Sequence, residues 1–250
     1  MDGRRREAVT AAHTSGNSSL QAEQHLVDRA PSHAAPPTHS RSTAPARRRL
    51  SPEERRRHLI EGAISYFAEV GFGGSTRELA KRLGVTQPLL YRYFPTKDDL
   101  IQAVYDAVFL NRWRAEWQVL LEDRSKPLAE RLKAFYRSYS EVAFTRDWLR
   151  IYLFSGLKGV EINRWYTSLL KERVLAPIIW ELYADRGRPT KSDFRPSMKE
   201  LELAWTLHVA VFYYAVRQHI FEIPVLEDRN AMIDQNVELF MRGAGQLIEN

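Results

Sequence analysis

Two short helical stretches hinged on one glycine are the most restrictive feature of this chain. In STRELAKRLGVTQPLLYRYFPTK, residues 75–97, Ser75 and Glu78 have the spacing of a capping box that opens a helix. Leu79, Ala80 and Leu83 recur on one face of that helix. Gly84 ends it, because glycine adopts the left-handed backbone of a tight turn without penalty. A second helix begins at Thr86, with Val85 and Leu90 as apolar plugs beneath it, and Ala80 is small enough for the two helices to approach closely. These are the needs of a helix-turn-helix, whose second helix lays its N-terminal end in the DNA major groove.

The side chains along this unit suit that use. Thr86, Gln87, Pro88 and Leu89 stand where bases are read: a glutamine amide pairs bidentately with adenine, a threonine hydroxyl bonds base edges, and Pro88 and Leu89 suit a thymine methyl. Tyr91, Tyr93 and Lys97 lie farther along, where the helix passes phosphates, and phenols or ammonium groups position a protein there without reading sequence. Ser75 and Thr76, at the start of the preceding helix, are predicted phosphate donors, and Arg77 reaches phosphate or guanine. Within residues 75–97, Arg77, Lys81, Arg82, Arg92 and Lys97 face only Glu78. The competing reading is structural: Tyr91 and Tyr93 as half-buried packing residues and Arg77 as a solvated charge.

Upstream, SPEERRRHLIEGAISYFAEVG reads as a helix with Ser51 as N-cap, Pro52 at its first position, acidic residues near its positive end, and Gly71 as its stop. Leu59, Ile60, Ala63, Ile64, Phe67 and Ala68 form its apolar stripe. Residues 1–50 hold few large apolar groups and many Ser, Pro and Arg, so they are expected to be a disordered basic tail, either passive or a phosphate-brushing arm. A fourth, long helix is expected from Lys97 through about residue 123. Further helices are expected at about 127–145, 147–157, 161–186, 197–222 and 229–248. No stretch alternates like a strand, so the fold class is all-α: a three-helix helix-turn-helix domain over 51–110, then a helical bundle over 111–250. The apolar run 203–216 is too short to span a membrane.

The segment AISYFAEVGFGGSTRELAKRLGVTQPLLYRYFPTKDDLIQAV also resembles one family, the tetracycline-repressor (TetR) type transcriptional regulators. The resemblance covers about residues 52–110: a first helix ending Phe-x-x-x-Gly-Phe, then Leu-Ala, Gly-Val and Leu-Tyr-x-x-Phe-x-x-Lys in order. It implies DNA contacts at Thr76, Arg77, Thr86, Gln87, Pro88, Leu89, Tyr91 and Lys97. Two features depart from the family: the loop from Gly71 to Ser75 is one residue short, leaving the reach of Ser75 and Thr76 open, and Tyr93 replaces a histidine. The resemblance further implies a homodimer through helices at about 199–221 and 229–248, and an apolar effector pocket. Trp113, Trp117, Tyr139, Trp148, Tyr152, Trp165, Tyr166, Trp180, His208 and Phe212 are the aromatic candidates for that pocket, with plain core packing as the alternative for each.

Composition narrows the chemistry. The chain has no cysteine, so disulfides and thiolate metal sites are excluded, which fits a cytoplasmic protein. No two histidines flank a glutamate at helical spacing, and there is no Gly-rich phosphate loop or nucleophile elbow. No metal, cofactor or enzymatic activity is assigned. The expectation is a DNA-binding transcriptional regulator, in such families most often a repressor, that binds a palindromic operator and is released by a small-molecule effector. The alternative is a helical protein-interaction module without specific DNA binding.

Overall fold

The architecture is that of a computed structural model describing residues 50–188 and 194–248. The predicted tail, up to residue 49, lies outside the described residues. Among these the fold is all-α, with no strand.

Helix α1 spans Pro52–Val70. Ser51 caps it in a reciprocal box: the Glu54 N–H donates to Ser51 Oγ at 3.1 Å and the Ser51 N–H to the Glu54 carboxylate at 2.7 Å. Gly71 ends the helix at φ +73°. Helix α2, Thr76–Arg82, starts at Ser75, whose Oγ accepts from the Glu78 N–H. Helix α3, Gln87–Tyr93, starts at Thr86, whose Oγ1 accepts from the Leu89 N–H. Between α2 and α3 the chain makes a Schellman turn: Gly84 N–H donates to Lys81 O at 3.1 Å and Val85 N–H to Ala80 O at 3.0 Å. That pattern requires a left-handed residue at its pivot, supplied by Gly84 at φ +63°.

Helix α4, Lys97–Tyr105, is capped by the Thr96–Asp99 box and continues as a π-helical turn over Asp106–Leu110. Here the expected long helix breaks. The chain turns through Asn111–Ala115 and resumes as α5, Glu116–Glu122. The turn brings Trp113 edge-on to Trp117 at 5.1 Å between ring centres and sends the Trp117 Nε1–H to Ser138 Oγ at 2.9 Å. A straight continuation has no long-range reason to stop, but burying two indoles against the next helix supplies one.

The bundle continues with α6 (Leu128–Ala143), α7 (Arg146–Lys158), α8 (Ile162–Leu170), a π-helical turn (Lys171–Leu175) and α9 (Ala176–Asp185). It closes with α10 (Met198–His219) and α11 (Arg229–Ile248), which pack on each other and on α6. The core is strongly aromatic: Phe109, Trp117, Phe135, Tyr136, Tyr139, Phe144, Trp148 and Tyr166 are all buried. One ion-pair cluster sits beside them. Glu181 takes the Arg131 guanidinium at 2.7 Å in the interior and the Arg124 guanidinium at 2.7 Å from the surface side.

Helix α7 also packs against α1. Its Arg150 donates to the carbonyls of Ala68 and Glu69, two of the acceptors left open at the end of α1, and its Phe154 ring lies over Gly71. The three N-terminal helices are thereby joined to the bundle by α7 as well as by α4.

Candidate nucleic-acid interface

The surface built by α2 and α3 starts from two short helices held at close range. Leu79, Ala80 and Leu90 are buried under it, and Leu83 presses on Gly62 of α1 so closely that a Cβ there would lie 2.0 Å from a Leu83 methyl. A side chain at Gly62 would therefore force the half-buried Leu83 to another rotamer, and no turn or cap in the sequence marks it.

The outer face carries the predicted contact residues. Ser75, Arg77, Thr86, Pro88 and Tyr91 are exposed, while Thr76, Gln87, Leu89, Tyr93 and Lys97 are half-buried. Three of them form a chain across the two helices: Gln87 Nε2 donates to Thr76 Oγ1 at 3.2 Å, and Thr76 Oγ1 lies 2.9 Å from the Tyr91 hydroxyl. A glutamine amide has two N–H groups and a carbonyl. With one N–H on Thr76, Gln87 keeps the second N–H and its oxygen for a bidentate contact. Residues 76, 87 and 91 are thus held in one arrangement before any ligand arrives, which lowers the entropy lost on binding.

Lys97 has a more structural setting than its position in sequence conveys. Its ammonium donates to Phe72 O at 2.6 Å and Gly74 O at 2.8 Å, pinning the loop between α1 and α2 and leaving one N–H for a phosphate. The Tyr66 hydroxyl donates to Ser75 O at 3.4 Å, and its ring lies where a Gly74 side chain would be. The short loop is therefore fixed from both sides, and it delivers Ser75 at the N-terminus of α2. Tyr93 packs against the core. Of the five local cations, Arg82 pairs with Glu69, whereas Arg77, Lys81 and Arg92 carry no ion pair among the described residues. The unpaired positive charge at this face is smaller than the sequence count, with Lys81 in the last turn of α2 and Arg92 in the last turn of α3.

A second feature lies in the bundle. A cavity of about 140 Å³ is lined by Trp148 and Tyr152 from α7, Tyr166 and Leu170 from α8, and Trp205, His208, Val209 and Phe212 from α10. Trp148, Tyr152, Tyr166, His208 and Phe212 thus come together as grouped from sequence. Trp113, Trp117, Tyr139, Trp165 and Trp180 do not line it. Trp113 and Trp117 pack on each other and on Tyr139, Trp165 packs edge-on to Tyr105, and Trp180 packs against the core. Sequence reasoning passed over Trp205 and Val209. Trp205 stands three residues before His208 and Val209 three before Phe212, so helical spacing alone could have found them.

His208 is 3% exposed, ringed by Tyr136, Tyr139, Phe144 and Trp205, and its Nδ1 has no hydrogen-bond partner. Burial pushes its pKa down to about 3, so the imidazole stays neutral. No group of three or more His, Asp or Glu able to hold a metal occurs among the described residues, and no helix there is long and apolar enough to cross a membrane.

The family profile for bacterial regulatory proteins of the tetR family matches residues 59–104. Among curated proteins, the chain is 38% identical over 63 residues to the HTH-type transcriptional regulator LuxR of Vibrio harveyi, covering 25% of this chain and 31% of that one. It is 33% identical over 85 residues to the class A tetracycline repressor protein from transposon 1721 of Escherichia coli, covering 31% of this chain and 39% of that one. The similarity therefore spans 31% and 39% of those relatives' lengths. A solved TetR-like transcriptional regulator from Rhodococcus sp. RHA1 superposes with a TM-score of 0.60 over 78% of this chain and 98% of its own, at 20% identity. That likeness concerns the fold.

Proposed function

We propose that this chain, which carries the tetR-family helix-turn-helix over residues 59–104, is a cytoplasmic repressor that binds a palindromic operator as a homodimer and leaves it when a small apolar effector binds. The observation that carries the reading is the prearranged Gln87–Thr76–Tyr91 chain on the outer face of α2 and α3, above a buried Leu90. Thr86, Gln87, Pro88 and Leu89 read bases, Ser75, Thr76, Tyr91, Tyr93 and Lys97 hold the backbone, and Arg77 meets phosphate or guanine.

Dimerisation is supported by what one copy leaves open. Leu239 on α11 is 61% exposed beside a groove lined by Leu203, Ala210, Phe240 and Gly243, and Tyr213 stands out from α10. A second copy laying the same two helices against this face would cover it through an isologous contact. Effector release is supported by α7, which lines the cavity with Trp148 and Tyr152 and holds α1 with Arg150 and Phe154. An effector that prefers a different α7 position would shift the reading heads, to the extent of its differential affinity for the two states.

The test is selection of bound fragments from the source genome, followed by titration of the purified chain on the selected duplex. Specific, salt-dependent binding is expected. Gln87→Ala should weaken it by about 1–3 kcal/mol and relax one base position. Tyr91→Phe should weaken all sequences alike. Binding no tighter than to random competitor would overturn the reading in favour of a protein-interaction module.

A further inference from the structure

We infer that the cavity between α7, α8 and α10 takes an uncharged, single-ring aromatic alcohol of the phenol type, its hydroxyl bonded to the imidazole of His208. The inference deepens the proposal that this cavity is the effector site, and its regulatory meaning rests on that proposal. Size sets the first limit. At about 140 Å³ the cavity matches an engineered apolar cavity of roughly 150 Å³ that admits benzene.

The walls set the second limit. Trp148, Tyr152 and Tyr166 stand 4.9 to 5.6 Å apart between ring centres, and Phe212 closes on Tyr152 at 5.8 Å. Such walls offer both ring faces and ring edges, the two surfaces an aromatic guest packs against. Charge sets the third. None of the lining residues is Lys, Arg, Asp or Glu, so a carboxylate or ammonium would give up its hydration with no counter-ion to replace it.

His208 then supplies the one polar anchor. It lines the cavity, is 3% exposed, and carries a buried Nδ1 without a partner. An unpaired buried polar atom is costly, and a ligand that satisfies it gains accordingly. A neutral imidazole presents one donor and one acceptor, and a hydroxyl can serve as either, so it fits whichever tautomer is present. A bare hydrocarbon leaves the imidazole unsatisfied. The Tyr136 hydroxyl is also buried without a partner, its ring centre 6.0 Å from that of His208. Tyr136 does not line the cavity, which leaves His208 as the anchor and Tyr136→Phe as its control.

The experiment is calorimetric titration of the full chain with phenol, toluene and benzoate. Phenol should bind about tenfold more tightly than toluene, the ratio expected from one net hydrogen bond, and benzoate should not bind. In His208→Leu the advantage of phenol over toluene should vanish while toluene still binds. Val209→Trp, placed on the exposed rim so that folding is spared, should block phenol. The inference is overturned if benzoate binds as well as phenol, if the phenol advantage survives in His208→Leu, if Tyr136→Phe alone removes it, or if Val209→Trp leaves phenol binding intact. Operator titration with phenol present separates the two proposals. Phenol that binds as described without weakening operator binding leaves the ligand class standing and defeats the effector reading. Operator binding with no phenol uptake does the reverse.

Discussion

Replacing Gly74 by alanine tests how the loop before α2 sets the reading surface. Gly74 does not sit in the left-handed region, so an alanine there is strained by contact alone. Its Cβ would stand 2.5, 2.6 and 2.7 Å from Oη, Cε1 and Cζ of Tyr66, whereas nonbonded carbon atoms settle at about 3.5–4.0 Å. Ring or loop must therefore yield by about 1 Å. Tyr66 is buried, its hydroxyl is held by Ser75 O, and the loop carbonyls of Phe72 and Gly74 are held by Lys97. Neither side moves freely. Overpacking of this kind costs about 1–3 kcal/mol, offset by about 0.4–1 kcal/mol from the stiffer unfolded chain.

A net loss of about 1–2 kcal/mol is expected in urea unfolding, along with weaker operator binding under conditions where the protein stays folded, because Ser75 and Thr76 are displaced. In a Tyr66→Leu background the same substitution should cost at least about 1 kcal/mol less, since the ring atoms it meets are gone. A Gly74→Ala protein as stable as the parent, or an equal loss in both backgrounds, would refute the argument.

Glu181→Ala should destabilise the fold by about 3–5 kcal/mol in urea unfolding, because it strands the buried Arg131 guanidinium; Arg124→Ala, on the exposed arm of the same cluster, should cost under about 1 kcal/mol. Acid should act through His208. Its folded pKa is lowered to about 3 from 6.5, so the unfolded chain takes up a proton that the folded chain refuses. That contribution is complete above pH 6.5 and declines as pH falls below it, by up to about 1.4 kcal/mol per unit. His219 is lowered too, by burial and then by Arg229, so the measurement is the difference in slope between pH 6.5 and 5 for the parent and His208→Leu; equal slopes would be the contrary result. Burial alone would raise the Glu181 carboxyl, but the hydrogen bonds from Arg124 and Arg131 outweigh it and hold the pKa below 4.5, so its contribution is present above that value and is lost only in stronger acid. Finally, Arg150→Ala should speed hydrogen exchange in the last turn of α1 while leaving α10 protected, and unchanged exchange in α1 would remove Arg150 from the joint.

Much of this molecule could be read along the chain. Ser51, Thr86 and Ser197 each accept from a backbone N–H three residues on, and Gly84 turns the chain because the Schellman pattern closes within six residues. Interactions that short in sequence are legible without a fold, so the starts of α1, α2, α3, α4 and α10, the turn of the reading unit and its outward residues follow from local chemistry and from the family resemblance. The break at Asn111–Ala115 was not legible, because its cause is a partner 21 residues from Trp117, at Ser138.

The same distinction separates what each level decided about the site. The sequence by itself determined that two capped helices meet at Gly84 with Thr86, Gln87, Pro88 and Tyr91 on their outer edge, since backbone capping and helical period need no distant residue. Tertiary structure alone decided that Lys97 anchors a loop more than 20 residues upstream, that Leu83 crowds Gly62 and Tyr66 crowds Gly74, and which five of ten aromatic candidates enclose a cavity around a neutral His208. Those outcomes depend on which surfaces meet when helices from far along the chain pack, and a one-dimensional pattern carries no record of that encounter.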